Sequence, residues 1–306
     1  MANSLTNLQE TSFSAFEQAL VQGVADFEKV GPIYTLDDKN WTRHQLQGVG
    51  GFTAYTGVGT SITKDLLSGK VTFSSSPKAK DHKVTWSDVK NNPELPAQIS
   101  RYLANQAMAD IHAIFAAGME SLFSAAHPLA GTSAGQVGAS KKFLDTALGA
   151  GGTGGSPTTT QNNLFTQALS RSALVGAKET MRKWKRVGDN QSLNIGANMS
   201  DLVLCVGAGN EDLARSLIGS DYQSAEMQTN TLKNSMGLYV YPWATDDDDW
   251  FLVDRSLEPV GMWLREQPFL KVGESDNGLD IVFSAGFHAD FVYSVEGAGI
   301  IGSNVA

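Results

Sequence analysis

The chain has 306 residues, 42% of them apolar, which is enough for one large domain or two to three smaller ones with a real core. Its formal net charge of −9 argues against a protein whose main task is gripping nucleic acid, because neutralising phosphates needs a basic face. Charged residues are 18% of the chain against the usual ~25%, and 31 residues are glycine, a composition that suits a surface largely covered by partners.

Residues 1–45 read as an arm. Phe13, Phe16, Leu20 and Val24 recur at helical spacing and predict a short helix over 12–28, ended by Gly31-Pro32. No basic-plus-apolar signal segment opens the chain and no run of about 18 apolar residues occurs, so a cytoplasmically made protein without a membrane partner is expected. From 46 to 90, glycines punctuate Phe52-Thr53-Ala54-Tyr55, and Val71-Thr72-Phe73 and Val84-Thr85-Trp86 follow. Between these runs stand Lys64, Asp65, Lys70, Lys78, Lys80, Asp81 and Lys83, which predicts a long two-stranded excursion with a polar, basic tip. A lone hairpin is barely stable in water, so such an excursion rests on its own domain or on another subunit.

Pro93 and Pro96 open the strongest helix pattern, over 97–124. Its apolar stripe is Ile99, Leu103, Ala107, Ile111, Ile114, Phe115, Met119 and Leu122, at i, i+3, i+4 spacing. His127-Pro128 is expected to stop it. Residues 129–162 are rich in Gly, Ser, Thr and Ala, with a loop over 149–157. The pattern then predicts a helix over 163–186, a strand at 201–206, a helix at 210–219 and strands at 237–241 and 250–254. From Leu279 to Val295 every second residue is apolar, including Ile281, Phe283, Ala285, Phe287, Ala289, Phe291 and Tyr293. Strict period-2 alternation predicts one very long strand with one buried face, unless a bulge or turn near Gly286 splits it. The order is α+β with no repeated βαβ rhythm, which argues against a doubly wound sheet.

The candidate chemistry is thin. Gly131-Thr132-Ser133-Ala134-Gly135 matches the nucleophile-elbow spacing, but a helix end and a turn precede it where that motif needs a strand. Gly207-Ala208-Gly209 imitates a dinucleotide turn, yet Asp212 stands where the third glycine belongs and would oppose a pyrophosphate. Asp246-Asp247-Asp248-Asp249 lacks the alternating spacing of a calcium loop. Arg182-Lys183-Trp184-Lys185-Arg186 is a basic cluster ending a helix, suited to the helix dipole or to an acidic neighbour. The single cysteine, Cys205, lies in the apolar run 202–206 and is expected to be a buried core thiol. No catalytic constellation remains, so the chain is expected not to be an enzyme and to use no cofactor or metal.

An arm, a two-stranded excursion, a long helix, a Gly-rich α/β region and a long closing strand, in that order, resemble the HK97-fold major capsid proteins of tailed phages. Local runs agree: His127-Pro128-Leu129-Ala130-Gly131 after the helix, Leu202-Val203-Leu204-Cys205-Val206 before a short helix, and Leu238-Tyr239-Val240-Tyr241-Pro242-Trp243 before Trp250-Phe251-Leu252-Val253-Asp254. These are similar to segments of Mu-like major head subunits, as is Arg265-Glu266-Gln267-Pro268 before the last strand.

This resemblance implies an N-terminal arm (1–45), an E-loop (46–90), a peripheral domain with the spine helix (91–126 and 256–306) and an axial domain (127–255). It implies self-assembly into homo-pentamers and homo-hexamers forming an icosahedral shell in the virion. A separate scaffold protein or none, a portal and a decoration protein are the expected partners, with packaged double-stranded DNA nearby but not specifically bound. Lys64, Asp65, Lys70, Arg182, Lys183, Lys185, Arg186, Asp246 and Asp247 are the expected assembly contacts. A covalent cross-link from Lys64 or Lys70 to Asn277 is not expected. An encapsulin-type nanocompartment shell is the alternative with the same fold.

Overall fold

Two antiparallel strands of unusual length organise the molecule. The computed structural model describes residues 2–20, 24–37, 40–46, 68–128, 140–150, 159–185, 192–193, 195, 199–220, 230–242, 244, 246–276, 278–294 and 297–304. In it β11 (Val260–Glu274) and β12 (Asp280–Tyr293) span 15 and 14 residues, against a usual strand of about 5–6. With β1 (Ile33–Tyr34) and β4 (Pro77–Thr85) they form a sheet in the order β1-β11-β12-β4. β12 is continuous as the alternation predicts, and Ile281, Phe283, Ala285, Phe287, Ala289 and Phe291 are all buried. Gly286 does not break it. The register shifts fall on β11 instead, between Leu264 and Glu266 and between Glu266 and Phe269. Pro268 cannot donate to a ladder, and it sits where β11 has run past its short neighbour β1, which pairs only with Met262 and Trp263.

The long helix is α3 (Leu95–Ser121), 27 residues or about 40 Å. Ile99, Leu103, Ala107, Ile111, Phe115 and Met119 are buried along it as the spacing predicts. It ends at Ser121, before His127-Pro128: turn bonds from Leu122 N–H to Met119 O and Phe123 N–H to Glu120 O close it, and His127 is buried beyond. The second sheet runs β7-β13-β10-β8-β9, from β7 (Leu164–Phe165), β13 (Ile300–Ser303), β10 (Trp250–Asp254), β8 (Leu202–Val206) and β9 (Gly237–Val240). Its central strands are buried on both faces. Val203, Cys205, Phe251 and Val253 join the core around α3, while Leu202, Leu204, Val206, Trp250 and Leu252 pack under α4 (Arg171–Arg182) and α5 (Glu211–Gly219). Two-sided burial is why β8 and β10 read as unbroken apolar runs.

Several boundaries differ from the sequence reading. The first helix, α1, is Ala2–Leu20, with a 3-10 turn over Val24–Lys29 in place of its predicted C-terminal half. Phe13, on the predicted stripe, is 38% exposed, while Ser12 beside it is fully buried. The two-stranded excursion is β2 (Asn40–Leu46) paired with β3 (Ser68–Ser74), so it begins ahead of residue 46. β4 leaves it and joins β12, and Trp86 starts a short helix, α2 (Trp86–Asn91), capped by Thr85. The helix predicted from 163 begins at Arg171, because Leu164 and Phe165 pair with β13 and Ser170 caps it by accepting from Ala173 N–H. The glycine-rich run has paired ends, β5 (Leu148–Ala150) with β6 (Thr159–Gln161). β12 does not close the chain, since β13 follows it. Ser133, the Phe52–Tyr55 run, Asn277 and Val295 lie outside the described residues.

Candidate assembly surfaces

The hairpin β2–β3 meets the body at its base. Trp41 and Phe73 pack with Trp263 and Val292 on one face of the β11–β12 pair, joined by Tyr34 and Tyr293. Arg43 ties the same base to the turn before β11. Its Nη2 donates to Glu258 O at 2.9 Å and lies 3.5 Å from Glu258 Oε2, which also accepts from the Tyr34 hydroxyl at 2.8 Å. Burial first, then that hydrogen bond to Glu258, pushes the Tyr34 phenol up. Arg43 is thus a half-buried latch between hairpin and body. Arg43→Ala should cost about 0.5–1.5 kcal/mol by removing its bonds to the solvent-exposed Glu258, and should speed proteolysis within the hairpin. Thermal melts and limited trypsinolysis check this; equal cleavage rates in both chains would refute the latch.

Beside the hairpin base a groove of about 500 Å³ runs between β3, α3 and β12, lined by Phe73, Ile114, Gly118, Asp290 and Tyr293. Burial pushes the Asp290 carboxyl up, only partly offset by its bond from Phe291 N–H at 2.9 Å. A carboxyl whose folded pKa lies above its unfolded value opposes folding at neutral pH, and the penalty fades as pH falls through the folded pKa towards the unfolded one. Asp290→Asn, whose amide oxygen keeps the backbone bond, should therefore melt higher than the parent at pH 7. The gap should narrow as pH drops into the ordinary carboxylate range, which melting curves at several pH values will show.

The expected contact residues fall in separate places. Lys70 is exposed on β3, while Lys64, Asp65 and Arg186 lie outside the described residues. Arg182 and Lys183 are exposed at the end of α4, where Lys183 pairs with Glu179. Lys185 lies half-buried just beyond, where its backbone N–H donates to Gln161 Oε1. Burial, then the Arg182 charge, lowers the Lys178 pKa, so this helix end is crowded with cations. Asp247 covers the turn before α5, and Asp246 beside it accepts from Asp248 N–H at 3.0 Å. A Cβ on Gly207 would lie 2.7 Å from Asp247 Oδ1, and Asn210 Nδ2 donates to Asp247 O at 2.8 Å. The glycines there make room for an aspartate of the same chain, which accounts for the dinucleotide-like spacing. Cys205 is fully buried, and that burial pushes its thiol well above the usual range. Among the described residues no cluster of three or more His, Cys, Asp or Glu could hold a metal. No helix there is long and apolar enough to cross a membrane.

Sequence reasoning placed Leu279 on the buried face of the last strand. The structure puts it in the turn before β12, 69% exposed. Alternation cannot tell the last residue of a turn from the first of a strand, so this surface was hidden.

Residues 70–301 match the family of phage capsid proteins. No curated protein matches the chain. Among solved structures it is similar to the capsid of a native GTA particle, at 10% identity over 92% of this chain and 90% of that one, with a TM-score of 0.59. The procapsid of bacteriophage JBD30 follows at 11% identity over 100% and 76%, with a TM-score of 0.57. A virus-like particle from Pyrococcus furiosus shares 7% identity over 96% and 98%, with a TM-score of 0.52. The common architecture is the HK97-like α+β fold. With the family match spanning most of the chain, the protein belongs to the phage capsid proteins and is an HK97-like, shell-forming subunit of the virion.

Proposed function

We propose that the chain assembles into pentamers and hexamers that close an icosahedral shell around a phage genome. The observation that carries this is the hairpin β2–β3, clamped to the body through Trp41, Arg43 and Phe73 at its base while residues 47–67 extend the connection between its strands. In this reading residues 46–90 lie over an adjacent subunit, residues 1–45 reach along the capsomer, 91–126 with 256–306 form the peripheral domain and 127–255 the axial domain. Each contact buries apolar area worth about 25 cal/mol per Å² before ordering costs, and symmetry multiplies modest pairs into a strong shell. The subunit has no catalytic task, and its net charge of −9 keeps packaged DNA unclamped. Lys70, Arg182, Lys183, Lys185, Asp246 and Asp247 are candidate contacts between copies, and a separate scaffold, a portal and a decoration protein complete the partners.

The phage-capsid family match favours a genome-bearing shell over an enzyme-filled nanocompartment. Negative-stain electron microscopy with light scattering on the purified chain, alone and with a co-expressed scaffold, tests the reading. Closed shells or five- and six-membered rings are expected. A chain that stays monomeric even with scaffold would overturn it.

A further inference from the structure

The turn joining β11 to β12 differs chemically from the strands it connects. Leu279 there is the most exposed large apolar side chain among the described residues, at 69%, and it is collared by the exposed acids Glu274 and Asp276, with Asp280 half-buried beside them. The turn's described residues are tied together by backbone bonds. Ser275 N–H donates to Asp280 O at 2.9 Å and Gly278 N–H to Ser275 O at 2.8 Å, with Gly278 at φ +65°, and Trp86 N–H from α2 donates to Leu279 O at 3.2 Å. An apolar knob held this firmly loses little conformational freedom on docking.

Elsewhere on the same sheet a small cleft of about 50 Å³ lies between the edge strand β4 and α3, over the buried side chains of Leu103, Ala107 and Phe287. Lys78 and Lys80 form the rim. Register opposite Phe287 and Ala285 places their side chains on the α3 side of the strand. Lys80 Nζ donates to the Tyr102 hydroxyl at 3.1 Å and sits 5.0 Å over its ring, which makes Tyr102, 51% exposed, one wall. The one acid in the cleft, Asp110, accepts from Gln106 Nε2 at 3.2 Å. Lysines along an edge strand oppose strand addition, so this edge is built to receive side chains rather than another strand.

We propose that Leu279 of one copy, with Glu274 and Asp276 beside it, seats in the Lys78–Lys80–Tyr102 cleft of a second copy. A leucine with an acidic collar meets an apolar floor with a basic rim, and both halves belong to one chain. Two different patches make a heterologous contact, which repeats from copy to copy and closes rings or extends the lattice. The inference rests on the shell reading above and names one contact within it.

The test uses the full chain under conditions where the parent forms shells. A parent that forms none counts against the shell reading itself, before any variant is made. Leu279→Cys combined with Gln106→Cys should give a ladder of disulfide-linked multimers on oxidation, absent from either single variant; buried Cys205 does not compete. Closed shells that yield only monomer bands would overturn the proposal. Should the double variant not assemble, charge exchange decides. Lys78→Glu with Lys80→Glu should reduce particle yield at least about tenfold by placing like charges together, and adding Glu274→Lys with Asp276→Lys should restore it. A folded four-site variant, by circular dichroism, with no recovery would equally overturn it.

Discussion

Replacing residues 47–67 with a two-residue Asn-Gly turn is expected to leave a folded chain that no longer closes shells. Leu46 pairs with Ser68 at the end of the β2–β3 ladder, so a two-residue type I′ connection joins the strands without disturbing register. The base contributes its apolar contacts through Trp41 and Phe73 and its latch through Arg43, all retained in the shortened chain. Circular dichroism and the melting temperature should stay close to the parent. Particle yield by electron microscopy should fall at least about tenfold, because a contact repeated around every capsomer is lost at every site. Shells of parental size and yield from the shortened chain would sink the proposal that this excursion holds neighbours together.

Gly118→Val should be the most damaging single substitution in the spine helix. At Gly118 α3 crosses β12 so closely that a Cβ would lie 2.1 Å from Phe291 Cγ and 2.5 Å from its Cβ. Phe291 has little room to yield: it is 6% exposed, and its ring meets Phe115 edge-on at 5.6 Å. Overpacking here should cost about 3 kcal/mol, at the upper end for inserted methyl groups. For a chain of this size that lowers the melting temperature by roughly 5 °C. Adding Phe291→Leu should recover part of the loss, because the two sites share one clash. A Gly118→Val chain melting with the parent would mean that helix and strand are farther apart than the structure places them.

Much of the architecture was legible in the residues because burial follows simple periods. α3 shows its stripe from Ile99 to Met119, and β12 its alternation from Ile281 to Phe291. The runs 202–206 and 250–254 are apolar on both sides because both faces of that sheet are covered. α5 follows a glycine turn and was equally plain. β11 was not. Arg265-Glu266-Gln267-Pro268 breaks any alternation, and the segment is a strand only because β12 lies along it with shifts in register that absorb the irregularity. β4 lay in a stretch read as strand-forming, but its partner was not legible. Its residues are exposed nearly throughout, so no apolar pattern says which neighbour it joins.

The sequence by itself determined the fold class, the long helix, the long strand, the absence of a recognisable catalytic set and the family the chain resembles. Each of these is written in local periodicity, composition or element order. Tertiary structure alone decided which strands pair, where Arg43 latches the hairpin, why Gly118, Gly207 and Gly209 carry no side chain, and that Leu279 faces outward. These depend on residues far apart in the chain meeting in space. A period reports which face of an element is apolar, but not what, if anything, comes to cover it.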